Sequence, residues 1–232
     1  MKVGVVTGFI PLPVKHLTEE KYHALWRRFA DAAFPNVVHV GDGPFVTCWA
    51  HDLCWGLPPA NPVPADRYDT PEINVMSHIV QHERTEWAIE ASWMHPDVDV
   101  WVWADYGIMK QGAWRNNPLT EISVRRFLDR VASTPEPMDY IPFPGIAEKQ
   151  TVYPTGNVWR FCGSLHIWPK CYLPDIDRAY KHELKSWVER HKTVPLDLPI
   201  WALVEQNSKL PFRWYSAEYD ASQLDHYPWG TI

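Results

Sequence analysis

A chain of 232 residues, 46% hydrophobic and 22% charged, carries enough apolar mass for a sizeable core in one large domain. Its formal net charge of -6 weighs against binding nucleic acid through bulk charge, although a local basic patch stays open. No run approaches the roughly 18 to 20 apolar residues of a membrane span, and Cys48, Cys54, Cys162 and Cys171 contain no CxxC pair, which argues against zinc or a disulfide framework and sets a reducing, cytoplasmic compartment as the default.

The opening MKVGVVTGFIPLPVK is apolar but short and is broken by Pro11 and Pro13, so it reads as a first strand and not as a signal peptide. Within it KVGVVTGF (2–9), rich in Val and bounded by Gly8, predicts a buried strand. TEEKYHALWRRFADAAF (18–34) predicts a helix capped by Thr18, with two glutamates where the helix dipole favours them. NVVHVGDG (36–43) predicts a second strand, and strand, helix, strand at these lengths predicts a βαβ unit and a mainly parallel sheet. Residues 44–69 hold five prolines and read as a long loop. TPEINVMSHIVQHERTEWAIEASWMHP predicts a helix capped by Thr70 and opened by Pro71. It carries Met76, Val80, Trp87, Ala91 and Met94 as a core stripe and ends at His95-Pro96.

VDVWVWAD predicts the next strand, repeating the helix-then-strand unit. ISVRRFLDRVAS (122–133) is a short helix with Arg125, Arg126 and Arg130 near one side, either a solvated face or a basic patch. Residues 134–156 are Pro-rich and read as irregular. NVWRFCGSLHIWP (157–169) reads as a strand or hairpin in which Gly163 marks a close backbone approach. DIDRAYKHELKSWVERHK (175–192) and LPIWALVEQN (198–207) read as helices before a compact aromatic tail, LDHYPWGTI. The 14 tryptophans suit sugar-stacking surfaces, although core and loop packing accounts for most of them.

In an open α/β sheet ligands bind beyond the carboxyl ends of the strands. Asp105 stands at such an end, after five consecutive apolar residues at 100–104. A carboxylate there needs a partner, either the turn that follows or a divalent cation taking oxygen ligands. Gly107 lets the backbone turn away from the place such a ligand would occupy.

The segment HERTEWAIEASWMHPDVDVWVWADYGIMK resembles the helix-plus-strand signature of GT-A-fold glycosyltransferases, most closely the HtrL/YibB-like family, where a helix with a basic residue precedes a strand ending W-x-D-x-G. The likeness covers residues 70–110, with WRFCGSLHIW and LPIWALVEQN matching more loosely. It implies a single GT-A-like, Rossmann-related α/β domain over 1–232 with a mainly parallel central sheet flanked by helices. Residues 1–110 would form the nucleotide- and metal-binding half and 111–232 the acceptor-side half. It further implies a glycosyltransferase using a nucleotide-sugar donor, of the UDP-sugar kind, with Mn²⁺ or Mg²⁺ bridging the diphosphate.

On that resemblance Asp105 stands for the metal-binding DxD motif, with Trp103 where the other acid would be, and His226 in LDHYPWG is a second metal ligand. Thr7, Gly8 and Phe9 would hold the nucleotide. Arg84 would neutralise the departing diphosphate, or else pair at the surface with Glu83 or Glu86. Asp197 would deprotonate the acceptor hydroxyl, with Glu205 as the alternative. The acceptor is open between a saccharide, a protein and DNA, the last as in bacteriophage enzymes that glycosylate modified bases. A non-catalytic carbohydrate-binding protein is the competing class. It would bind sugar without nucleotide or metal.

Overall fold

The computed structural model describes residues 1–8, 18–41, 49–60, 71–110, 117–135, 137–146 and 160–228, with 37–41 and 71–74 described by their backbone alone. The chain runs β1 (Val3–Gly8), α1 (Glu19–Ala33), β2 (Val37–Gly41), α2 (Trp49–Cys54), α3 (Pro71–His82), α4 (Arg84–Met94), β3 (Val100–Ala104), α5 (Glu121–Ser133) and β4 (Ile141–Gly145). It continues through β5 (Leu165–Pro169), α6 (Leu173–His191), α7 (Asp197–Asn207), β6 (Phe212–Ser216) and α8 (Ser222–Asp225). The main sheet has the order β2-β1-β3-β5. Its first three strands are parallel and β5 runs antiparallel to β3, so the sheet is mixed. A second, two-stranded parallel sheet joins β4 to β6. Among the described residues no helix is long and apolar enough to cross a membrane.

The period of two in the strands sorts side chains to opposite faces. On β3, Val100, Val102 and Ala104 pack with Trp26 and Phe29 of α1 and with Val124 and Phe127 of α5. Trp101 and Trp103 join Trp87 of α4, Tyr180 of α6 and Trp201 of α7 on the other side. Burying a tryptophan removes about 150–250 Å² from water, worth roughly 4–6 kcal/mol at about 25 cal/mol per Å² as an upper figure. The indoles need room, and β1 supplies it. A Cβ on Gly4, the register partner of Trp101, would lie 2.6 Å from that ring, and one on Gly8 would lie 1.9 Å from Trp87.

Several local expectations change. The loop expected over 44–69 contains α2; its segments 44–48 and 61–69 lie outside the described residues, as does the Thr70 cap. The helix expected across 70–95 is broken between α3 and α4 at Glu83, because two adjacent charged side chains are drawn into the interior toward different partners. Glu83 accepts a hydrogen bond from the Ala50 N–H at 2.8 Å, and Arg84 turns to the sheet edge. Met94, expected in the core stripe, is 60% exposed at the end of α4. The stretch 134–156, expected to be irregular, supplies β4, whose partner β6 follows long after it. Arg125 and Arg126 are exposed, whereas Arg130 donates to the Asp225 carbonyl at 2.8 Å and ties α8 to α5.

Candidate active site

Parallel pairing brings the carboxyl ends of β1, β2 and β3 to one edge, where antiparallel β5 begins. The Cys162 N–H donates to Pro144 O at 2.9 Å and the Ala217 N–H to Gly145 O at 2.8 Å, so the ends of β4 and β6 join the same edge. Asp105 is the first residue past β3, held by its own N–H on Ser164 O at 2.9 Å. Its side chain is 36% exposed. One oxygen, Oδ1, accepts from the indole Nε1 of Trp103 and from Nη2 of Arg84, each at 3.1 Å.

Arg84 is the first residue of α4 and is 5% exposed. Its Nη1 donates to Gly163 O at 2.5 Å and to Oδ2 of Asp197, the first residue of α7, which is 2% exposed. The guanidinium lies 5.3 Å over the Trp103 ring, which stacks in turn on Trp87 at 5.8 Å. A Cβ on Gly163 would come within 3.1 Å of Asp197 Oδ2, so the backbone must be bare for the carbonyl to reach Arg84. Tyr219 accepts from the Gly163 N–H at 3.4 Å, and Ser164 donates to Gln223 Oε1 at 2.9 Å, fixing the loop from behind. Two helix N-termini, one strand end and one loop thus converge on a single buried cation.

The charges do not balance: one guanidinium faces two carboxylates. Burial works against the charge on Arg84, yet Asp197 and then Asp105 together raise its pKa. Burial pushes the Asp197 carboxyl up to about 6 against the pull of Arg84, and the neighbouring charge of Asp105 pushes the same way. The deeper carboxylate carries the excess because it has a share of one cation and little water.

Asp105, Arg84 and Asp197, which lie far apart in sequence, are therefore brought together. Glu205 is not with them. It sits eight residues along α7 from Asp197, about 12 Å at the rise of a helix, and is gripped by Arg160 through Nε at 3.1 Å and Nη2 at 2.8 Å. His226 is exposed at the end of α8, its Nδ1 bonded to the Ser216 carbonyl at 2.9 Å, on the same sheet edge. Thr7 and Gly8 end β1; Thr7 is buried with no hydroxyl partner among the described residues, and Gly8 makes way for Trp87. Phe9 lies outside the described residues. The close backbone approach expected at Gly163 is present, but its carbonyl as a partner of Arg84, and Tyr219 behind it, were not legible in the sequence.

The expected Mn²⁺ or Mg²⁺ can be tested against these donors. Both N–H contacts of Asp105 fall on Oδ1, which leaves Oδ2 as its one open oxygen. Asp197 is taken up by Arg84, and no group of three His, Cys, Asp or Glu side chains among the described residues is placed to hold a metal. A dication on Oδ2 would sit on the carboxylate that already holds the Arg84 guanidinium, whose like charge opposes it. Among the described residues, the donors around Asp105 do not fit a resident divalent cation.

Neither a family model nor a curated protein sequence matches the chain. Among solved structures, the chain matches the crystal structure of a glycosyltransferase involved in the glycosylation of the major capsid of PBCV-1. The TM-score is 0.52 at 10% identity, covering 93% of this chain and 81% of that one. The chain is thus an α/β protein that shares the fold of a glycosyltransferase.

Proposed function

We propose that the chain is a glycosyltransferase that moves a sugar from a nucleotide-sugar donor of the UDP-sugar kind to an acceptor, and that it belongs with the HtrL/YibB-like proteins. The observation that carries this is the Arg84–Asp105–Asp197 cluster at the carboxyl edge of the sheet, in a fold shared with a glycosyltransferase. The donor lies beyond the ends of β1 and β3, where α/β sheets bind their ligands. Asp105 Oδ2, open and acceptor-only, takes a hydroxyl of the donor. Transfer breaks the bond from the sugar to the diphosphate and forms one to the acceptor oxygen, leaving one proton to place. With its pKa pushed up to about 6, Asp197 is ionised at neutral pH and basic enough to take it.

A thermal-shift panel of nucleoside diphosphates and nucleotide sugars tests the proposal, because a ligand that binds only the folded state raises its midpoint. UDP and at least one UDP-sugar raise the midpoint. Asp105→Asn keeps the fold and weakens donor binding roughly 10- to 100-fold, the loss of one hydrogen bond to a charged group. A panel without a nucleotide hit, with plain sugars stabilising instead, would move the protein to the carbohydrate-binding class.

A further inference from the structure

The guanidinium of Arg84 sits where two carboxylates at a ligand-binding strand end would otherwise share a cation. It meets Asp105 on one nitrogen at 3.1 Å and Asp197 on the other, and the Gly163 carbonyl is its third acceptor. Unlike a metal it cannot dissociate, and it stays charged at any working pH. Trp103 reinforces the arrangement: it fills the position that a two-acid motif would give to its other acid and places an indole N–H on the same Asp105 oxygen.

We propose that Arg84 is the built-in cation of this site, that it keeps divalent metal out by holding Asp105 and Asp197 together, and that donor binding here is independent of metal. The inference about the donor rests on the glycosyltransferase reading; the inference about the cation does not. Removing the guanidinium unmasks two carboxylates on facing elements, the chemistry that hard divalent cations take. Replacing it with lysine keeps a charge and therefore keeps metal out.

The experiment is a Mn²⁺ titration, followed by electron paramagnetic resonance of the free ion, on wild type, Arg84→Gln, Arg84→Lys, Asp105→Asn and the Arg84→Gln/Asp105→Asn double variant. Folding of each is checked by circular dichroism. Wild type and Arg84→Lys show no Asp105-dependent site tighter than about 1 mM, the weak end of oxygen-ligand cation sites. Arg84→Gln gains a site at least tenfold tighter, and the double variant loses it. A wild-type site in the micromolar range that Asp105→Asn abolishes overturns the proposal, as does a folded Arg84→Gln that gains nothing. If Arg84→Gln does not fold, the wild-type titration decides, together with UDP affinity measured by calorimetry in Mn²⁺ and in chelator. Equal affinities within threefold support the proposal, and a tenfold loss in chelator overturns it. Absence of UDP binding in both conditions defeats the donor assignment and leaves the Mn²⁺ titration to judge the cation.

Discussion

Asp197→Asn tests the charge imbalance of the site directly. Burial pushes the carboxyl up to about 6 in the fold from 3.8 for a free side chain, so the native state holds its proton over a window in which the unfolded chain has released it. At about 1.4 kcal/mol per pH unit, a displacement of this size amounts to roughly 3 kcal/mol. The side chain is buried, so solvent screening removes little of this. Because the folded pKa is the higher one, the protonated side chain favours the fold below pH 4, and this contribution is lost as pH rises through about 6. Asparagine has no such dependence. The stability of wild type minus that of Asp197→Asn should therefore fall by roughly 3 kcal/mol between pH 4 and pH 7 and stay level above that. Urea unfolding followed by tryptophan fluorescence at half-unit pH steps measures it. Glu83, pushed up to about 7 by burial, and the buried histidines, pushed down, titrate in both proteins and cancel in the difference. A difference that rises with pH would mean that Arg84 holds the carboxylate below its usual range and that pairing, not burial, governs the site.

Gly8→Ala should destabilise the protein by about 1–3 kcal/mol, because the new methyl would lie 1.9 Å from the Trp87 ring and overpacking forces the indole off its stack with Trp103. A thermal melt superimposable on wild type would show that the strand end has room to spare. His166→Phe should leave stability unchanged or raise it, since the ring is fully buried among Phe143, Trp168 and Trp201 with neither nitrogen bonded among the described residues. A loss above about 1 kcal/mol in urea unfolding would reveal a partner for that imidazole.

The features legible in the sequence are those set by local pattern. Short continuous apolar runs gave β1 and β3, the Thr18 cap with its two glutamates gave α1, and amphipathic patterning gave α6. Thr18 caps α1 by accepting the Lys21 N–H, and Asp105 falls past the end of β3 where the apolar run predicted it. The pairing of β4 with β6 could not be read, because Pro142 and Pro144 resemble breakers until a two-stranded sheet gives each strand a free side, where proline is tolerated. Nor could the state of Arg84, whose neighbours in HERTEW describe a charged, exposed helix face. Its burial depends on Asp197, 113 residues later, arriving at the N-terminus of α7, and on Gly163 leaving a bare carbonyl in the gap. A buried charge is stable only with its partners in place, and which partners arrive is a property of the packed sheet edge, carried by no stretch of sequence around the arginine.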